Sequence, residues 1–141
     1  MSGLEPRLKL WLECDGRVAF SDYRARLLRR VQESGSLAQA AAATSLSYRR
    51  AWGKVRELEE NLGVAVLESD VGGVGGGRSR LTPAGADLLA RYERFAAAVA
   101  EAADALYERH FPEAGASGSG QAGEQVEPIA DHAVRAPLDQ R

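Results

Sequence analysis

The stretch from Ser36 to Gly63 most constrains what this chain can fold into. It reads as a short alanine-rich helix, a tight break and a longer helix. Ser36 has the hydroxyl that an N-cap needs to accept from an unpaired backbone N–H of the first turn. Ala40 to Ala43 carry almost no side chain, so a second helix can cross close against them. Thr44-Ser45-Leu46 continues a helix poorly and makes a good turn. Ser47 then caps a second helix, and Gly63 ends it, because glycine accepts the left-handed backbone of a C-cap.

In that second helix Ala51, Val55, Leu58 and Leu62 recur at steps of 4, 3 and 4, one apolar stripe. Off the stripe stand Tyr48, Arg49, Arg50, Gly53 and Lys54. Three cations near the N-terminus of a helix oppose its macrodipole, at a few tenths of a kcal/mol or more each. Folding gains nothing from that placement, whereas a polyanionic partner does. The pattern implies a helix-turn-helix whose second helix, 47–62, enters a DNA major groove. A surface-charged helical hairpin is the other way to satisfy the same residues.

A chain of 141 residues is one domain with a real core. Its net charge of −2 argues against a bulk polyanion binder. The distribution argues the other way. From Arg17 to Arg56 there are nine basic residues against two acidic ones, and from Pro112 to Arg141 two against five. That asymmetry points to a basic binding face and an acidic tail. The single Cys14 cannot form an intramolecular disulfide, which fits a reducing cytosol and leaves a redox-sensing thiol as the alternative. Neither a long apolar run nor a signal-peptide pattern occurs, so the expected location is cytoplasmic, with no membrane contact.

Along the chain, Arg7 to Leu12 alternates, with Leu8, Leu10 and Leu12 on one face and Lys9 and Trp11 on the other, the period of a strand. Asp15-Gly16 suits a two-residue hairpin turn, and Arg17 to Phe20 is the return strand. Ser21 and Asp22 open a helix to about Ser34. Leu27, Leu28 and Val31 face inward, and Arg24, Arg26, Arg29 and Arg30 mostly outward. Val64 to Glu68 is β-prone. A glycine-rich loop over 70–80 follows, and Arg80-Leu81 returns to apolar patterning. Strand, loop and strand directly after a recognition helix make a wing. Gly75 and Gly76, without Cβ atoms, can approach a phosphate backbone or a narrow minor groove, and Arg78 and Arg80 supply charge. A surface loop without function is the alternative. Gly72, Gly77, Arg78 and Ser79 also come one substitution from a phosphate-binding loop, but no helix opens directly from them, so nucleotide binding is set aside.

Thr82 caps and Pro83 opens a last helix to about His110. Leu88, Tyr92, Phe95, Val99, Ala102 and Leu106 are spaced 4-3-4-3-4, a heptad seam that no other helix of the chain is left to cover. A second subunit is the natural partner, with packing against the chain's own hairpin as the alternative. After Phe111 the composition turns to Gly, Ser, Ala, Pro and acids, and disorder is expected. The expected organisation is a hairpin over 1–20, a winged helix-turn-helix over 21–82, a dimerisation helix over 83–111 and an acidic tail over 112–141. The fold class is mostly α with small β.

Several stretches together resemble the N-terminal DNA-binding domain of the ModE family of molybdate-responsive bacterial regulators. They are Gly35-Ser36-Leu37, Ser47-Tyr48-Arg49-Arg50-Ala51-Trp52, the glycines of 72–77, and Leu81-Thr82-Pro83 with Gly85. Leu58-Glu59 with Leu62-Gly63 is similar to the winged helix of LysR-type regulators. The resemblance implies dimerisation through the first and last helices and binding to palindromic operator DNA. It turns Tyr48, Arg49, Arg50 and Lys54 toward DNA, puts Trp52 in the core, and makes the glycine loop with Arg78 the wing. Full-length members carry additional β-barrel domains that bind molybdate or tungstate. Only about thirty low-complexity residues follow Phe111 here, so that mode of oxyanion sensing is not expected and the effector is left open.

The leading expectation is a homodimeric regulator of transcription on double-stranded DNA. Arg49 and Arg50 are placed for guanine, Arg29, Arg30, Arg78 and Arg80 for phosphates, and Ser36 and Ser47 at the helix starts. Leu88, Tyr92, Phe95, Val99 and Leu106 are placed at the dimer seam. The alternative is an interaction module that titrates another regulator into heterodimers. No catalytic set emerges, since Glu57, Glu59 and Glu60 read as a solvated helix face. Cys14, His110 and His132 are too scattered for a metal site, and no cofactor is expected.

Overall fold

A computed structural model describes residues 3–70 and 77–116 of the chain. The elements run β1 (Trp11–Cys14), β2 (Arg17–Ser21), α1 (Asp22–Ser34), α2 (Leu37–Ala43), α3 (Tyr48–Leu62), β3 (Leu67–Ser69), β4 (Ser79–Leu81) and α4 (Pro83–His110), with a 3-10 turn over Pro112–Ala116. Each α-helix starts on a hydroxyl: Ser21, Ser36, Ser47 and Thr82 accept from the N–H groups of Arg24, Gln39, Arg50 and Gly85 respectively. Gly35 and Gly63 end α1 and α3 in the left-handed region, as the sequence predicts.

The first strand is shorter and later than the Arg7–Leu12 alternation implies. Asp15 and Gly16 make the turn with φ of 51° and 74°, which fixes the register. Trp11 then pairs with Ser21, the residue that caps α1, so nothing remains for residues before Trp11 to pair with. A register shift between Leu12 and Glu13 breaks the alternation further, and Leu8 and Leu12 are exposed. Leu10 packs against the core instead.

That core joins every helix. Phe20, Leu27, Leu28, Val31, Leu37, Ala40, Ala41, Ala51, Val55, Leu58, Val66, Leu89 and Tyr92 form one buried cluster. Ala40 and Ala41 are fully inside, the close helix crossing that the alanine run anticipates. The hairpin is therefore part of the same core as 21–82, through Phe20. Its ring lies 4.8 Å from that of Tyr92, tilted by 44°.

Arg24 corrects an expectation. It was assigned to the outer face of α1 but is 2% exposed. Its guanidinium donates to the Val18 and Ala19 carbonyls at 2.5 and 3.4 Å and pairs with Glu57 of α3 at 3.2 Å. Asn61 of α3 donates to the same Val18 carbonyl at 2.8 Å. The carbonyls at the irregular step of the hairpin are thus satisfied by side chains, and a buried cation is matched by an acid. Glu59 is accordingly not part of a solvated face, whereas Glu57 pairs with Arg24 while staying half exposed. Glu59 accepts the Val66 N–H at 2.9 Å, which holds the segment leaving α3.

The wing strands pair antiparallel, Leu67 with Leu81, Glu68 with Arg80 and Ser69 with Ser79. The expected strand begins at Leu67 rather than Val64 because Val66 is already engaged, its N–H by Glu59 and its carbonyl by the Thr82 N–H at 3.0 Å. Gly85 must be glycine for a steric reason. A Cβ there would stand 2.3 Å from the Val66 carbonyl oxygen. Thr82 also donates to the Ala65 carbonyl at 2.7 Å, so the start of α4 is bolted to the wing.

Only the first turns of α4 are covered by this core. Leu89 and Tyr92 are buried, whereas Phe95 and Leu106 are 46% and 49% exposed. The sequence-derived seam therefore divides. Tyr92 belongs to the chain's own interior, where its hydroxyl donates to Asp22 at 2.5 Å and lies 3.1 Å from the Leu10 carbonyl. Burial and the Asp22 carboxylate both push its pKa above the ordinary tyrosine value.

Candidate nucleic-acid interface

The break between α2 and α3 is tight. Ser45 takes a positive φ of 57°, the Leu46 N–H donates to the Ala41 carbonyl at 2.8 Å, and Thr44 Oγ1 donates to the Ala40 carbonyl at 2.9 Å. With Ala51, Val55 and Leu58 buried on the core side, the first turns of α3 leave Tyr48, Arg49, Arg50, Trp52 and Gly53 exposed.

On this helix, residues opposite the apolar stripe recur at the same steps of 4 and 3: Arg49, Gly53 and Arg56, all exposed. Tyr48 and Trp52 lie on one flank. Arg50, Lys54, Glu57 and Asn61 lie on the other, which faces Arg24 and the hairpin. Arg49 and Arg50, both placed for bases in the sequence reading, thus emerge on different sides of the rod. Among the described residues neither has an acid within ion-pair distance.

Trp52 corrects a second expectation. It is 47% exposed rather than in the core, and the Arg56 guanidinium carbon sits 4.9 Å from its ring centroid. Arg56 also reaches Glu59 at 3.3 Å. The spacing Trp52–Arg56 of four residues was the available signal, since such pairs meet on a helix surface.

The other sequence-derived residues are dispersed. Ser36 and Ser47 serve as caps for α2 and α3, each accepting at 3.2 Å. Glu93 of α4 receives two N–H groups of Arg29, one at 3.2 Å. Arg30 is exposed and pairs with Glu33 at 3.4 Å. Arg80 is exposed but bridges Glu68 at 3.1 Å and Asp70 at 3.0 Å, both acids raising its pKa further. Arg78 is exposed, and its carbonyl accepts the Asp70 N–H at 2.9 Å, closing the base of the wing loop. At Gly77 a Cβ would come 2.6 Å from the Asp70 carbonyl oxygen. Gly75 and Gly76 lie outside the described residues, as does nearly all of the expected tail. Among the described residues no group of His, Cys, Asp or Glu could hold a metal ion, and no helix is long and apolar enough to cross a membrane.

A capped helix pair, a second helix projecting its cations, and a two-stranded ribbon leading into a final helix define the winged helix-turn-helix class. Residues 24–86 match the bacterial regulatory helix-turn-helix proteins of the LysR family. Over those residues the chain is similar to a LysR-type helix-turn-helix domain, and its relatives are consistent with a ModE-like one. It is 28% identical over 109 residues to the transcriptional regulator ModE of Yersinia pestis, covering 77% of this chain and 41% of that protein. With the molybdenum-pterin-binding protein MopB of Rhodobacter capsulatus it shares 38% over 78 residues, 55% of this chain and 29% of the relative. With the DNA-binding transcriptional dual regulator ModE of Escherichia coli it shares 29% over 103 residues, 73% and 39% respectively. The chain thus spans less than half the length of these relatives, which are named as regulators or molybdenum-binding proteins rather than enzymes.

Proposed function

We propose that this chain is a DNA-binding regulator of transcription that works as a homodimer on a palindromic operator. Each subunit presents α3 to the major groove of one half-site and the wing to the backbone or minor groove. The observation that carries this reading is electrostatic. Arg49 and Arg50 sit at the N-terminal end of a helix, exposed and without acids, where they oppose the macrodipole. A duplex groove supplies the missing negative charge. Ser36, Ser47, Tyr48 and Lys54 border the same projection, and Arg30 and Arg78 rim it as phosphate contacts. Arg29 and Arg80 are left out because acids on neighbouring elements hold them.

Dimerisation is supported by the outer part of α4. Phe95, Val99 and Leu106 continue past the chain's own core, Phe95 and Leu106 largely in solvent. A second copy of this helix covers them in heptad fashion. The names of the relatives extend the proposal to genes of molybdenum handling. The test is selection of bound duplexes from a random pool by the full chain. A two-fold symmetric consensus is expected. Recovery of no consensus, with the chain shown to be folded, overturns the reading and favours a module that pairs with another regulator.

A further inference from the structure

The geometry points to Trp52 and Arg56, rather than Arg50, as partners of Arg49 in reading base edges, with Trp52 selecting a thymine methyl and Arg56 the neighbouring guanine. This rests on the DNA-binding reading above. Trp52 is the largest apolar side chain of α3, and half of it meets solvent beside Arg49 and Arg56. Leaving an indole in water gains nothing for folding; α3 is already seated by Ala51, Val55 and Leu58. Arg56 stacks over one face of the ring at 4.9 Å, and Glu59 holds it from the next turn at 3.3 Å. Glu59 is in turn fixed by the Val66 N–H at 2.9 Å.

Indole and guanidinium are therefore held in one stack before any ligand arrives. An apolar edge next to a planar fork of N–H donors matches one dinucleotide surface of the major groove. Thymine offers its C5 methyl, and guanine its N7 and O6 acceptors. Gly53, with open space where a Cβ would be, lets the helix backbone approach between Arg49 and Arg56. Arg50 stands on the far flank with Lys54 and Glu57, a position suited to backbone phosphate.

The experiment uses the full chain and the duplex it selects from a random pool. Each thymine is replaced singly by deoxyuridine, which removes the methyl and keeps every hydrogen bond. At one position per half-site wild type is expected to bind about fourfold more weakly, the equivalent of ~0.8 kcal/mol for one buried methyl group. Trp52→Ala should bind thymine and uracil duplexes alike at that position. The guanine beside it, replaced by 7-deazaguanine, should weaken wild type about tenfold and leave Arg56→Ala indifferent. If no uracil position affects wild type, or if Trp52→Ala retains the discrimination, the inference falls while DNA binding stands. If no duplex is selected at all, the underlying reading falls with it. The wild-type uracil scan needs no variant, so it decides the matter even where Trp52→Ala is unstable.

Discussion

Helices α1 and α3 are both rich in arginine, and they use it in opposite ways. On α1, Arg24 and Arg29 each bind an acid on another element, Glu57 of α3 and Glu93 of α4. On α3, Arg49, Arg50 and Arg56 make no bond beyond their own helix among the described residues. Two cations of the first helix fasten the domain together, while its Arg26 is exposed without an acid among the described residues. The second helix holds its cations outward. A basic excess in a sequence therefore does not locate an interface. What locates it is the subset of cations whose charge the fold leaves unanswered.

The largest test of that contrast is Arg24→Met. It removes the cation that matches Glu57 and leaves the Val18 carbonyl with Asn61 as its remaining donor. Glu57 is half exposed, which moderates the loss, so about 2–3 kcal/mol of stability is expected to go. Thermal or urea unfolding measures it directly. A variant as stable as wild type would mean that the buried guanidinium is no fastener, and the division between the two helices would lose one side.

Arg49→Ala should do the reverse. Stability should hold or rise by a few tenths of a kcal/mol, since a cation opposing the helix dipole has gone. Affinity for the selected duplex should fall by about 1–3 kcal/mol, with sequence preference relaxed. Anisotropy titrations on specific and scrambled duplexes separate the two effects. Next in size is Arg78→Ala, which should weaken both duplexes about equally and lower the salt slope by about one. A loss confined to the specific duplex would place Arg78 at base edges rather than on the backbone.

Much of the fold was legible because local signals and the core agreed. The caps at Ser21, Ser36, Ser47 and Thr82, the left-handed stops at Gly35 and Gly63 and the stripe of Ala51, Val55 and Leu58 all stand as read. What escaped was what depends on distant partners. Nothing near Arg24 in sequence announces that Glu57 and the hairpin carbonyls will surround it. Trp52 was placed in the core by the family resemblance, but its position on the helix lies outside the stripe of Ala51, Val55 and Leu58, and the period decides here. The heptad reading of α4 merged two environments with one spacing. Tyr92 is 4% exposed against Phe20, whereas Phe95 three residues on faces solvent. In the candidate site, the helix itself was legible from its cap and stripe, but which of its residues face outward required the fold.

The smallest expected effect is also the sharpest discriminator. Arg29→Gln breaks the contact with Glu93 between α1 and α4, a pair more than a third exposed at both ends. Such pairs contribute at most about 1 kcal/mol, so a small drop in unfolding midpoint is expected. DNA affinity should not change, because the guanidinium is engaged inside the domain. Arg30 and Arg29 are sequence neighbours of equal charge, so Arg30→Gln is the matched control, and titrations at two salt concentrations compare them. Should Arg29→Gln lower the salt slope while Arg30→Gln leaves it alone, a cation fastened to another helix would still be contacting phosphate. Pairing within the fold would then no longer tell fasteners from contacts, and the unpaired state of Arg49 and Arg50 would lose its force as evidence.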